Sequence, residues 1–299
     1  MNKRFSRIAL VGKVEDARVA ESMVSIARHL QSRGLAVLVD AESVVADLPG
    51  GVERRPHAAL GTDADLIVAI GGDGTMLYAA QLVIGREVPL LGINRGRLGF
   101  LTDVSPDEMF ESLDAVLQGR YEIDVRQLLE ARLTRAGGQA AVCRVLNDVV
   151  VQRHESGRMV ELEFWIDGRF VNAHGGDGLV IASSTGSTAY ALSCGGPIMH
   201  PSLDAIVIAP ISPHTLSDRP IVVGRSSRIE VRLVERSATR AQVTCDGVLL
   251  GDLDADSRLV IEPASSSVTL LHPPGHDYFR LLRSKLHWGR SARNGRTEP

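Results

Sequence analysis

The run Asp65-Leu66-Ile67-Val68-Ala69-Ile70-Gly71-Gly72-Asp73-Gly74-Thr75 constrains this chain more than any other stretch. Its apolar half shows no alternation, which is the mark of a strand buried on both faces. The residues that follow, Met76-Leu77-Tyr78-Ala79-Ala80-Gln81-Leu82, have the composition of a helix start. Three glycines at the junction let the backbone adopt positive φ and approach a ligand closely. The unsatisfied amides of the helix start then form an anion site. A carboxylate in such a turn, Asp73, points to a metal ion or to a proton taken from a substrate hydroxyl.

Strand and helix alternate through the first hundred residues. The segment 7–12 reads as a strand, and Val19, Met23, Ile26, Ala27 and Leu30 recur at helical spacing up to Gly34. Strands are expected at 35–39, 65–70 and 88–93, with a Gly/Pro/Asp-containing connector running to about residue 63. Ser105-Pro106-Asp107-Glu108 reads as a capping box whose helix ends near Gly119. This order predicts a parallel sheet with helices on its faces and ligands at the carboxyl ends of the strands.

After Tyr121 the pattern changes. Short β-rich runs follow at 128–133, 142–152, 160–166, 170–173, 179–183, 205–209, 221–223, 229–234, 242–250, 259–262 and 268–271. Asp167-Gly168 between two of them is a hairpin signal. The expected division is an α/β domain over 1–121 and an all-β domain over 122–275. An amphipathic helix near 278–288 would let residues 276–299 return to the first domain.

With 299 residues and 44% hydrophobic content, the chain can bury two cores. A net charge of −3 and 4% aromatic residues give no case for nucleic acid or an acidic membrane surface. No apolar stretch approaches the roughly 20 residues that span a bilayer, so a cytoplasmic protein is expected. Cys143, Cys194 and Cys245 lie far apart and suggest neither a disulfide framework nor a metal site. The glycine turn lacks the third glycine of GxGxxG, because Leu77 stands there, and no P-loop, HExxH or GxSxG motif occurs. Asp252-Leu253-Asp254-Ala255-Asp256 fails as a calcium loop, with Ser257 and Pro263 at the positions that need glycine and glutamate. His214 and His272 sit beside prolines and read as structural. No metal-ligating set is read.

Two further stretches carry chemistry. Gly176-Asp177-Gly178 precedes a strand that leads into Ser183-Ser184-Thr185-Gly186-Ser187-Thr188-Ala189-Tyr190, with a helix expected over 188–193. Hydroxyls there would either cap that helix or meet a ligand. Leu146-Asn147-Asp148-Val149-Val150 puts two polar side chains inside an apolar run, and they need partners from the protein or a ligand.

Taken together, Gly71-Gly72-Asp73-Gly74-Thr75, Asn147-Asp148, Asp177-Gly178 and Thr185-Gly186-Ser187-Thr188-Ala189-Tyr190 resemble the NAD kinase family. Asn94-Arg95-Gly96-Arg97-Leu98-Gly99-Phe100-Leu101, Gly195-Gly196-Pro197-Ile198 and Pro213-His214-Thr215-Leu216-Ser217-Asp218-Arg219-Pro220 look like its bacterial members. The glycine turn alone is shared with phosphofructokinases and with lipid kinases. The resemblance covers nearly the whole chain and implies a phosphofructokinase-like first domain.

The resemblance further implies phosphoryl transfer from ATP to the 2′-hydroxyl of the adenosine ribose of NAD, giving NADP, with Asp73 as general base and a divalent cation, magnesium, on the donor. It implies that Gly72, Gly74 and Thr75 meet the nucleotide, that Phe100 borders the adenosine and that Asn147 and Asp148 bond ribose hydroxyls. Thr185, Thr188, Ala189 and Ser193 would line the rest of the dinucleotide, with Arg158 and Gly175 also touching ligand. Asp177 and Tyr190 would act across a subunit contact, implying a homo-oligomer, a dimer or tetramer. Three departures from the family pattern stand out: aspartate rather than glutamate at Asp148, Ser183-Ser184 for Thr-Pro, and a small residue at Gly175. A lipid or sugar kinase and a non-catalytic NAD(P)-binding regulator are the alternatives.

Overall fold

A computed structural model describes residues 5–13, 15–96, 99–154, 159–234 and 240–288. The chain forms two compact units, Met1–Val125 with Val268–Pro299, and Arg126–Ser267. The expected bounds were 1–121 and 122–275; residues 122–125 and 268–275 belong instead with the first unit.

The first unit contains β1 (Arg7–Gly12), α1 (Ala17–Ser32), β2 (Ala36–Asp40), β3 (Glu53–Arg55), α2 (His57–Asp63), β4 (Leu66–Gly71), α3 (Asp73–Val83), β5 (Leu90–Asn94) and α4 (Met109–Leu117). Its strands pair in parallel in the order β3-β2-β1-β4-β5. All six residues of β4 are buried, as an unbroken apolar run between two helical layers requires. The order reverses between β1 and β4, so the loops after these strands flank a topological switch point. β3 and α2 occupy what reads from the sequence as an irregular connector.

In the capping-box stretch, Ser105 Oγ donates to Glu108 Oε2 (2.7 Å), yet the helix starts only at Met109 with Glu108 as its N-cap. The box closes a preceding turn instead of capping a helix with proline at its first position. At the other end of α4, Gly119 takes φ +81°.

The remaining strands are β6 (Glu122–Thr134), β7 (Ala140–Val145), β8 (Asp148–Arg153), β9 (Val160–Ile166), β10 (Arg169–Gly176), β11 (Gly178–Ser183), β12 (Ala205–Ile211), β13 (Ile221–Gly224), β14 (Ile229–Leu233), β15 (Ala241–Cys245), β16 (Val248–Leu253) and β17 (Arg258–His272). One sheet of the second unit runs β13-β12-β11-β8-β15-β16 and is antiparallel throughout. The other carries β10-β9-β14-β17, with β6 on β17 and β7 on β6.

Val149, Val151, Leu179 and Ile181 from the first of these sheets share a core with Leu162, Phe164, Val231 and Ile261 from the second. Val150, Val180, Ala182 and Ala209, on the opposite face, pack with Ala191 and Met199. The β8–β11–β12 centre is therefore buried on both faces, which explains its near-continuous apolar sequence.

Three sequence-based runs divide differently. The run 142–152 breaks at Leu146-Asn147 between β7 and β8, so Asn147 lies in the break and Asp148 opens β8. The run 242–250 is two strands joined at Asp246-Gly247, with φ +47° and +81°. The runs 259–262 and 268–271 are one strand, β17. Asp167-Gly168 forms the expected hairpin turn, with φ +51° and +76°.

The expected 188–193 helix is a 3-10 turn, Thr185–Thr188, followed by the short α5 (Tyr190–Ser193). The closing helix α6 (Tyr278–Leu286) is N-capped by Asp277 and buries Leu281 and Leu282 within the first unit. Residues 289–299 of the expected tail lie outside the described residues. Cys143 and Cys245 form a disulfide across 102 residues, contrary to the reading from their spacing. β7 and β15 bring them together, a proximity that linear separation conceals.

Candidate active site

In the first unit, the end of β4 and the start of α3 shape the glycine turn. Asp73 is the first helical residue, after Gly72 as N-cap. Its carboxylate accepts the N–H of Phe100 at Oδ2 (2.8 Å) and of Leu101 at Oδ1 (2.9 Å). Asp73 is thus fixed by backbone while remaining half-buried, so one lone pair on each oxygen is left for a further partner. Gly99 makes room for it: a Cβ there would stand 1.9 Å from Asp73 Oδ1. Thr75 packs against Gly71, and Gly74 faces open space. Phe100 carries the Lys285 ammonium over its ring, 5.0 Å from the centroid. Asn94, 3% exposed, donates to Thr102 Oγ1 (3.1 Å) and accepts from the Gly96 amide (2.8 Å), shaping the strand exit beside the turn.

Gly72, Gly74 and Thr75 line a cleft of ≈ 610 Å³ together with Gly12, Lys13, Asp40 and Tyr78. It opens at the carboxyl ends of β1 and β4, where a doubly wound sheet places its ligands. The Tyr78 hydroxyl lies 2.7 Å from His57 Nδ1, which lies 2.9 Å from Asp40 Oδ2. Burial, with the charges of Asp40 and Glu42, pushes the Tyr78 phenol above its ordinary range. Sequence reasoning singled out none of Lys13, Asp40 and Tyr78. The signal for Tyr78 was its position four residues after Gly74, on the same helix face.

In the second unit, the β7–β8 break and the turn after β11 meet. Asp246 accepts the N–H groups of Leu146 (2.8 Å), Asn147 (2.8 Å) and Asp148 (3.1 Å), and so holds the break open. The Ser183 amide donates to the Asn147 carbonyl (2.9 Å) and its hydroxyl to the Leu146 carbonyl (2.5 Å). Gly186 lies so near Asn147 that a Cβ would stand 2.2 Å from that carbonyl oxygen.

Asp148 is 6% exposed. Burial and the neighbouring Asp246 push its carboxyl up to about 7, against a hydrogen bond from the Tyr190 amide. Desolvation likewise raises the Tyr190 phenol and the Cys194 thiol above their usual values.

Hydroxyls in the 183–190 stretch divide between two roles. Ser184 Oγ donates to the Leu203 carbonyl and Ser187 Oγ to the Ser184 carbonyl, so these are consumed in holding the turn. Thr185 accepts from the buried Arg126 guanidinium (3.2 Å). Thr188, Ala189 and Tyr190 reach the half-exposed or exposed surface, as does Ser193.

Asp177 pairs with Arg153 (2.9 Å) at the start of β11. Gly175, in β10, accepts the His214 amide through its carbonyl (3.0 Å), and added carbon there would meet only Met159. Arg158 lies outside the described residues. Sequence reasoning missed Arg126, Asp246 and Gly99; for Asp246 the signal was the Asp-Gly pair inside an apparent strand.

The ATP-NAD kinase N-terminal domain family matches residues 8–121, and its C-terminal domain family matches residues 146–272. A relative in Chromohalobacter salexigens named NAD kinase is 43% identical over 284 residues, 95% of this chain and 97% of that one. The crystal structure of yeast NADH kinase complexed with NADH is similar at a TM-score of 0.89 and 25% identity, covering 97% of this chain and 90% of that one. An NAD kinase from Archaeoglobus fulgidus, solved in complex with ATP, gives 0.71 and 28%, covering 94% and 98%. With the glycine turn in the first matched domain, the Asn147-Asp148 break in the second, and relatives alike over nearly their full length, this chain belongs to the ATP-NAD kinase family.

Proposed function

We propose that this protein is an ATP-dependent NAD kinase. It transfers the γ-phosphoryl group of ATP to the 2′-hydroxyl of the adenosine ribose of NAD, releasing NADP and ADP. The observation that carries the reading is the fixed carboxylate of Asp73 at the glycine-lined start of α3. Asp73 takes the proton of the 2′-hydroxyl while its oxygen bonds to the γ-phosphorus and the bond to the β–γ bridging oxygen breaks. The Gly72 to Thr75 backbone and the first turn of α3 favour the charge of the transferring group.

Glu15, Asp40 and Glu42 line the cleft beside the turn. This hard oxygen donor set fits a magnesium ion, which when bound neutralises donor phosphate charge. Asn147 and Asp148 hold ribose hydroxyls, and Thr185, Thr188, Ala189 and Ser193 contact the rest of the dinucleotide. Phe100 borders the adenosine, and Arg158 and Gly175 touch ligand. Asp177 and Tyr190 serve a neighbouring subunit, so the working form is a homo-oligomer. Tyr190 is 37% exposed, which suits that role.

The test is purified protein with ATP, Mg²⁺ and NAD, coupled to an NADP-dependent dehydrogenase. Asp73→Asn is expected to lower kcat by about 10²–10⁴-fold. An unchanged rate removes Asp73 as the base, and phosphorylation of a glycerolipid in place of NAD removes the assignment.

A further inference from the structure

Three side chains that take no part in the proposed reaction converge where the chain leaves β17. His272 ends that strand and is 2% exposed, His276 lies four residues on, and Asp103 stands in the segment between β5 and α4. His272 Nδ1 lies 2.9 Å from Asp103 Oδ2, and His276 Nδ1 lies 2.6 Å from the same oxygen. The two imidazoles stack with centroids 3.8 Å apart. One potential ligand atom from each of the three residues lies within 4.8 Å of the other two. Asp103 Oδ1 is buried and has no hydrogen-bond partner among the described residues.

A proton can place His272 between the Asp103 and Asp124 carboxylates, but protons leave one buried oxygen of the cluster unserved. Both ring nitrogens converge on one carboxylate oxygen, while Asp103 Oδ1, buried, has nothing to accept among the described residues. Two imidazolium rings stacked at this distance would also repel each other. A single dication held by both Nδ1 lone pairs and the carboxylate removes each difficulty. It keeps both rings neutral, and a carboxylate bound through both oxygens gives Oδ1 a partner.

His272 Nε2 lies 3.3 Å from Asp124 Oδ2. That is the outer carboxylate which fixes the tautomer of a metal-bound histidine. Two imidazoles and one carboxylate suit a borderline-soft ion of the zinc class better than magnesium or calcium. Tetrahedral zinc spaces its ligand atoms about 3.3 Å apart, and the three here already lie within 4.8 Å of one another. Asp103 and His276 also line a cleft of ≈ 480 Å³ through which water and the ion reach the cluster.

We propose that Asp103, His272 and His276 bind one zinc-class divalent cation, tying the segment after β17 to the segment before α4. The site shares no residue with the cleft at the glycine turn, so it stands or falls independently of the kinase reading.

The test uses the untagged full chain, stripped with a chelator and re-equilibrated with Zn²⁺ alone. One zinc per chain is expected after gel filtration, with X-ray absorption showing two imidazole ligands. His276→Asn should weaken zinc binding by more than 100-fold, and Asp124→Asn by about 10–100-fold. His57→Asn, which alters the separate His57–Asp40 pair, should leave zinc binding unchanged. Failure to retain stoichiometric zinc overturns the proposal, as does a ligand shell without imidazole or unchanged affinity in a folded His276→Asn. Should His276→Asn not fold, the absorption spectrum of the wild-type protein decides alone.

Discussion

A Cβ on Gly99 would stand 1.9 Å from Oδ1 of Asp73, closer than any real carbon approaches a carboxylate. Gly99 thereby sets the position of Asp73 as firmly as the two amides that follow it in sequence. Gly99→Ala forces the carboxylate aside, and a displacement of about 1 Å at a reacting group costs about 10²-fold in rate. The coupled dehydrogenase assay is expected to show kcat lowered by that order while the melting temperature changes less than for a core substitution.

Gly186 has the same relation to Asn147, with 2.2 Å between a built Cβ and the carbonyl oxygen. Here both partners are backbone, so neither can swing away. Gly186→Ala is expected to cost about 1–3 kcal/mol in urea unfolding and to raise KM for NAD as the Asn147-Asp148 break shifts.

The Asp148 carboxyl, pushed up to about 7, makes stability pH-dependent. Asp246, Tyr190 and Cys194 face it, with Asp177 near Tyr190. Unfolded aspartate titrates near 3.9, so between about pH 4 and about pH 7 the native state binds more protons than the unfolded state. The stabilising term is fully present below the unfolded value and is lost as pH rises through the folded one. Asp148→Asn removes the Asp148 share of that slope and leaves that of Asp246, whose carboxyl burial also raises. The variant should gain stability relative to wild type by about 1 kcal/mol or more from about pH 5 to about pH 8, measured by chemical denaturation at each pH. A constant difference across that range would show that Asp148 stays ionised when folded.

The Cys143–Cys245 disulfide closes a long loop between β7 and β15, and Cys245 directly precedes Asp246. The paired Cys143→Ser, Cys245→Ser variant is expected to lose about 2–4 kcal/mol relative to the oxidised protein. Reduction of the wild type by a dithiol should bring its urea midpoint down to that of the variant.

Where a local pattern carried the structure, the sequence could be read directly. The buried strand, the glycine turn and α3 follow from composition within a dozen residues, and the hairpin at Asp167-Gly168 from its dipeptide. Asp246-Gly247 carries the same dipeptide, but flanking apolar residues hid it inside one apparent strand. Elements set by distant contacts were not legible. Asp246 supports Asn147 across 99 positions, and the disulfide joins cysteines 102 apart. Short β3 and α2 carry too little periodicity to stand out from a connector. In the turn after β11, sequence could not separate the hydroxyls of Ser184 and Ser187, spent on carbonyls, from the surface positions of Thr188 and Tyr190. Burial alone distinguishes them.

β17 leaves the second unit at Ser267 and completes the first, its Leu270 pairing with Leu90 of β5. The first unit is therefore a discontinuous fold that receives its last strand, and then α6, only after the whole intervening unit has been synthesised. On the ribosome, the Leu90 end of that β5 edge waits unpaired while the second unit emerges, although Val104 already pairs with Gly92 and Asn94 at its other end, a period in which the nascent chain is open to mispairing. A truncation before residue 268 would leave the Leu90 end of that edge bare and remove α6 with its buried Leu281 and Leu282, so loss of the carboxyl-terminal tenth of the chain should cripple the amino-terminal half.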